Sequence, residues 1–123
     1  MPNQRLIAVV DDDASFRVAL VDLLSSAGYC ARGFASGEEF LALSASDSYG
    51  CVITDIHMPG MSGIELARLL ASRGCRTSII MITGRTDARL ERLTIASGAI
   101  CLLTKPFGEQ ALIGCLEKAL DSH

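Results

Sequence analysis

The chain has 123 residues, 50% apolar and 20% charged, with a formal charge of -3. That composition suits one folded domain spanning 1–123, is too apolar for a disordered chain, and carries no basic footprint for direct nucleic-acid binding. If a longer parent protein reads DNA, that task is expected of an output domain outside this segment.

The elements alternate along the chain. Leu6 to Val10 is a short unbroken apolar run, the mark of a strand buried on both faces. It is halted at once by Asp11, Asp12 and Asp13, and no apolar run nears the roughly 20 residues that cross a bilayer. No secretory leader and no membrane contact are therefore expected, and the expected location is cytoplasmic. Phe16, Ala19, Leu20, Leu23, Leu24 and Ala27 recur at helical spacing, and Gly28 ends that helix. A weaker strand follows near Cys30 to Phe34, and Ser36 with Glu39 forms a capping-box pattern for a second helix. Cys51 to Thr54 reads as the third strand. After a Pro59-Gly60 loop, Ser62 and Glu65 announce a third helix with Ile64, Ala67, Leu70 and Ala71 inward. Ile79 to Ile82 is the fourth strand. A poorly amphipathic helix near Asp87 to Ser97 follows, with Arg85, Arg89 and Arg92 in or beside it. Ala99 to Leu103 is the fifth strand, and Leu112, Cys115, Leu116, Ala119 and Leu120 line the last helix. Five strand-helix units in succession predict an α/β domain, a parallel sheet with helices on both faces.

Cys30, Cys51, Cys75, Cys101 and Cys115 are scattered, with no Cys-x-x-Cys pair and only two histidines in the chain. A zinc site needs clustered ligands and a disulfide framework an even count, so these read as reduced packing residues.

The polar residues that end the strands carry the chemistry. The first strand ends in the three aspartates, the third in Asp55, the fourth in Thr83 and the fifth in Lys105. Ligands of open α/β sheets bind at that edge. Crowded carboxylates repel, by about 4 kcal/mol for two charges about 4 Å apart at an effective dielectric of 20. A hard divalent cation such as Mg²⁺ relieves this, taking one or two carboxylates together with water or phosphate oxygens. Acids, cation, the Lys105 ammonium and the Thr83 hydroxyl together suit a phosphoryl group attacked by a carboxylate. Each residue also has a plain reading: Asp13 as the first helix's N-cap, Asp55 and Thr83 as strand ends before turns, Lys105 as a solvated loop. Their gathering at one end of consecutive strands favours the site.

The motifs Val-Val-Asp-Asp-Asp at 9–13, Thr-Asp-Ile-His-Met-Pro-Gly-Met-Ser-Gly at 54–63, Ile-Thr-Gly at 82–84 and Lys-Pro-Phe at 105–107 resemble, in order and spacing, those of response-regulator receiver domains of bacterial two-component systems. The resemblance covers nearly the whole chain and has the flavour of the nitrogen-fixation regulators, which often carry a helix-turn-helix output domain. It implies a three-layer (βα)5 flavodoxin-like fold with a five-stranded parallel sheet of order 2-1-3-4-5. It implies Asp55 as the phosphoacceptor, with Thr83 and Lys105 on the phosphoryl oxygens. Mg²⁺ would be held by Asp12, Asp55 and the backbone carbonyl of His57, with Asp11 acting mainly through water. The Lys105-Pro106 bond is expected to be cis. The donor implied is a sensor histidine kinase, and the output a transcriptional one. A homodimer through the fourth helix, fifth strand and fifth helix is a further expectation. The arginines beside the fourth helix would pair with acids of a partner or form a solvated face. The His57 ring is read at the cleft rim, where with Arg85 it would hinder or orient the hydrolytic water; it is not read as a metal ligand, because Mg²⁺ prefers oxygen.

One departure stands out. Where such domains carry an aromatic residue on the fifth strand, this chain has Leu102, so the familiar ring rotation on phosphorylation cannot occur. Coupling is then expected through Thr83 and the loop 84–86. An aspartyl-phosphate phosphatase would want a second carboxylate where His57 stands, and a flavin domain would want a hydroxyl or glycine loop where the three acids stand. A degenerate receiver, serving as a phosphorylation-independent interaction module, is the alternative; such domains usually lose an acid, the threonine or the lysine, and all are here. The domain is expected to be a switch that phosphorylates and dephosphorylates itself, not an enzyme.

Overall fold

The computed structural model describes residues 6–43, 48–85 and 87–121. Thr86, part of the loop singled out above, lies outside them. Five strands and five helices alternate: β1 (Leu6–Val10), α1 (Ala14–Ser26), β2 (Cys30–Phe34), α2 (Gly37–Leu43), β3 (Cys51–Asp55), α3 (Gly63–Ser72), β4 (Ser78–Thr83), α4 (Ala88–Ala96), β5 (Cys101–Thr104) and α5 (Glu109–Asp121). All adjacent strands pair in parallel, in the order β2-β1-β3-β4-β5. This is the (βα)5 flavodoxin-like sheet that the resemblance implied.

The pleat divides the apolar runs between two cores. Ala8, Val10, Val52 and Met81 face α2, α3 and α4, meeting Phe40, Leu66, Ala67 and Leu70. Ile7, Val9, Ile53, Ile80 and Ile82 face α1 and α5, meeting Leu20, Leu24, Leu112 and Leu116. β3 and β4 are buried throughout, so their sequences are continuously apolar and do not alternate. β2, at the sheet edge, is mostly exposed, which explains its weak signal.

The helix starts follow their caps. Ser62 accepts from the Glu65 N–H while Glu65 accepts from the Ser62 N–H, a complete capping box. Ser36 caps the Glu39 N–H, but the Glu39 carboxylate reaches back to the Ala35 N–H instead. The inward face of α3 differs from expectation: Leu66 is fully buried and Ala71 is exposed. Positions 63, 66, 67 and 70 keep the helical spacing, and Ala71 falls off its edge. Ala19 of α1 and Ala27 at its C-cap are likewise exposed, since small alanines at a stripe's margin bury little area. Gly63 allows a close crossing: a Cβ there would stand 2.4 Å from the Asp55 carbonyl oxygen, so only glycine lets α3 begin against the end of β3.

Among the described residues no helix is long and apolar enough to cross a membrane.

Candidate functional site

Asp55 and Thr83 are the last residues of β3 and β4, and Asp11 follows β1 directly. The carboxyl edge of the sheet therefore delivers all three to one place. Asp11 is 1% exposed and Asp55 9%, while Asp12 and Asp13 are exposed. Oxygens of Asp11, Asp12 and Asp55 lie within 4.8 Å of one another. Asp13 turns away and caps α1, accepting from the Phe16 N–H at 3.2 Å, as its plain reading had it.

Lys105 arrives from the β5–α5 connection. Its ammonium lies 3.5 Å from Asp11 Oδ2 and 3.6 Å from Asp55 Oδ2. The backbone fixes that approach, the Lys105 N–H donating to the Thr83 carbonyl at 2.8 Å; the Lys105-Pro106 bond is cis, as expected. Burial pushes the Asp11 carboxyl above its ordinary value, and nearby Asp55 adds to this; the Asp13 N–H, donating at 2.9 Å, and Lys105 pull the other way.

The Thr83 hydroxyl is engaged within its own loop, donating to the Arg85 carbonyl at 2.7 Å and accepting from the Arg85 N–H at 3.2 Å. The His57 side chain is exposed, and its backbone N–H donates to Asp55 Oδ1 at 3.3 Å. His57 also borders a cleft of about 470 Å³ shared with Met58, Arg89 and Leu93.

Two residues join the site that sequence reasoning assigned no role there. Arg17 Nη1 donates to the Asp11 carbonyl at 2.7 Å, fastening the turn that presents the acids. The ring of Phe16 lies under the Lys105 ammonium, 4.1 Å from Nζ to the ring centroid. Phe16 carried a signal, its place in the α1 stripe, but that stripe reads equally as core. Arg17 carried none that separates it from a solvated arginine.

Three carboxylates, with the Lys105 ammonium beside them, are an all-oxygen, anionic donor set around a buried acid that resists ionisation. That fits a hard divalent cation such as Mg²⁺ and is the acidic pocket in which receiver domains bind it.

Fold and site together define a phosphoryl-signalling receiver. The response regulator receiver domain family matches residues 7–117, and the chain belongs to that family. It is similar to the transcriptional regulatory protein FixJ of Azorhizobium caulinodans, 36% identical over 120 residues that make up 98% of this chain and 57% of that protein. It is also similar to the response regulator protein TmoT of Ectopseudomonas mendocina, 38% identical over 118 residues, 96% of this chain and 54% of that protein. The crystal structure of FixJ-N superposes with a TM-score of 0.87 at 31% identity, covering 96% of this chain and 94% of that one. The chain thus spans about half the length of the curated relatives it matches. Receiver domains are signalling switches rather than enzymes in the ordinary sense.

Proposed function

We propose that the domain accepts a phosphoryl group on the Asp55 carboxylate from a phosphohistidine of a sensor histidine kinase, and that the phosphorylated form controls a transcriptional output. The observation that carries this reading is the Lys105 ammonium held between Asp11 and Asp55 at 3.5 and 3.6 Å, beside an acidic cluster at the carboxyl edge of the sheet. In the transfer a carboxylate oxygen of Asp55 forms the new P–O bond as the donor's P–N bond breaks, and the leaving imidazole takes up a proton. The Lys105 ammonium neutralises phosphoryl oxygen charge. The Thr83 hydroxyl gives up the Arg85 carbonyl and donates to a phosphoryl oxygen instead, which loosens the β4–α4 loop. With leucine at 102, this exchange of partners is the link between site and surface.

Asp12, Asp55 and the His57 carbonyl would hold Mg²⁺ directly, with Asp11 acting mainly through water. When bound, the cation would offset carboxylate and phosphoryl charge. The surface that responds is the α4-β5-α5 face, where Ile95 is 75% exposed above a cleft of about 290 Å³ shared with Thr94 and Leu102; a second copy of the domain would dock there. In the complete protein a C-terminal DNA-binding domain would supply the output, as the names of the transcriptional relatives suggest. No feature supports the interaction-only alternative, since the acids, Thr83 and Lys105 are all retained.

The test is intact mass after incubation with acetyl phosphate, with Mg²⁺ or with chelator, on wild type and Asp55→Asn. The expected result is a Mg²⁺-dependent gain of one phosphoryl group, absent in the variant. An equal gain in Asp55→Asn would overturn the reading, as would no gain from either acetyl phosphate or a phosphorylated histidine kinase.

A further inference from the structure

Lys105 is attached by a flexible four-carbon stem, and its side chain is 27% exposed. Its ion pairs, at 3.5 and 3.6 Å, are longer than the charge-assisted hydrogen bonds of about 2.7–2.9 Å that fix an ammonium tightly. The two carboxylates attract Nζ without locking its position. Another wall is present. The Phe16 ring presents its face to Nζ at 4.1 Å from the centroid. That ring is itself held: the edge of Phe107 meets it at 6.1 Å and 82°, and Asp13 caps the Phe16 N–H at the start of α1. Phe16, Pro106 and Phe107 also line a largely apolar cleft of about 520 Å³ in which Lys105 is the charged group.

We propose that Phe16 is a positioning residue of the phosphoryl-accepting site, its ring face holding the Lys105 ammonium against Asp55 and Asp11. The inference deepens the receiver reading and rests on it for its kinetic consequence. An ammonium is drawn to the negative face of an aromatic ring. The ring covers one side of the charge without offering a hydrogen-bond acceptor that would compete with the phosphoryl group. Lys105 therefore stays loosely bonded, close to the acceptor oxygen, and free to transfer its hydrogen bonds to an incoming phosphoryl oxygen. Neither carboxylate does both: each holds the ammonium by the bond that it must later release. An aliphatic side chain of similar size at 16 would fill the same space but leave the ammonium free to swing into the cleft.

The test uses the full 123-residue domain with Phe16 replaced by mono-, di- and trifluorinated phenylalanines, which keep the ring's shape while progressively weakening its negative face, together with Phe16→Leu and Phe16→Tyr. Two readouts are taken. The first is the order of the Lys105 ammonium by side-chain ¹⁵N relaxation, which needs no phosphorylation; the second is the rate of phosphoryl gain from acetyl phosphate with Mg²⁺. The ammonium is expected to lose order stepwise along the fluorine series and in Phe16→Leu, with Phe16→Tyr close to wild type. The phosphorylation rate is expected to fall in parallel, by about threefold to tenfold in Phe16→Leu, the size expected of a half-buried cation–π contact. Unchanged ammonium order across the series overturns the proposal. So does a change in order with an unchanged rate in a domain that does phosphorylate. A wild-type domain that takes up no phosphoryl group from any donor defeats the receiver reading instead, and the relaxation arm still decides whether the ring holds the ammonium.

Discussion

Replacing Asp11 by asparagine should stabilise the metal-free domain at neutral pH. Asp11 faces Asp12 and Asp55 with oxygens within 4.8 Å, and each repulsion is at least about 3.5 kcal/mol at an effective dielectric of 20. Against them stands one attraction to Lys105, about 4.7 kcal/mol at 3.5 Å on the same basis. Solvent screens the exposed Asp12 to about 1 kcal/mol or less, so the Asp55 repulsion and the Lys105 attraction nearly cancel, and the burial of the Asp11 charge sets the sign in favour of asparagine. Asparagine keeps an oxygen for the Asp13 N–H, so that hydrogen bond survives. The expected change is a rise in Tm, about 4 °C for each kcal/mol of burial cost that the asparagine relieves, read by far-UV circular dichroism in chelator. The pH dependence follows from the same carboxyl. Its folded-state pKa is raised above 3.8 by burial, so the folded form binds the proton more tightly than the unfolded form does. The stability this gives is fully present below the unfolded value and is lost as pH rises through the folded one. The advantage of Asp11→Asn should therefore be greatest near neutrality and shrink in acid. With Mg²⁺ at ten times its dissociation constant the wild type should recover about 1.4 kcal/mol, and the variant less. A variant that melts below wild type in chelator at neutral pH, or an advantage that grows in acid, would refute the reasoning.

Gly63→Ala should destabilise the fold by about 2–3 kcal/mol in urea titration, because its Cβ would stand 2.4 Å from the Asp55 carbonyl oxygen and force the acceptor strand to shift; phosphorylation by acetyl phosphate should slow with it. Ser62→Ala removes half of the α3 capping box and should cost about 1 kcal/mol by the same titration, leaving the site acids in place. Burial and a hydrogen bond to Cys101 push the Cys115 thiol up to about 12. Cys115 should therefore resist iodoacetamide while the exposed Cys30 reacts, and its alkylation, followed by peptide mass, should keep accelerating through the alkaline range.

What the sequence made legible was the part written in continuous apolarity. β1, β3 and β4 are buried on both faces, so their runs announce parallel strands, and each run gives way to a polar residue at the sheet's carboxyl edge. Asp11, Asp55 and Thr83 could be placed together for that reason alone. β2 was fainter because an edge strand needs little apolar surface. Phe16 shows the opposite limit. Helical spacing records that a ring points inward, but the pattern is the same whether it meets a leucine or an ammonium; only the fold brings residue 105 over residue 16.

Thr83 is the case in which the place at the end of β4 was legible and the local geometry was still hidden. A strand-ending threonine with a phosphoryl site beside it reads as a donor waiting for its acceptor. In the folded domain the hydroxyl already has an acceptor, the Arg85 carbonyl at 2.7 Å, and Arg85 returns an N–H at 3.2 Å. No propensity encodes that reciprocal pair, since it depends on the dihedral angles of two loop residues that tolerate many conformations. Its presence changes what the site must do. A hydroxyl held by a neutral carbonyl can be recruited by a phosphoryl oxygen, because a charged acceptor forms the stronger hydrogen bond. In the proposed transfer that recruitment would remove a bond from the start of the β4–α4 loop. Leu102 sits half-buried across from Met81 and beside the same helix, with no polar atom to take part. Under the proposed function, the energetic difference between the two states would therefore be concentrated in the Thr83–Arg85 pair, where a ring on β5 would otherwise have shared it.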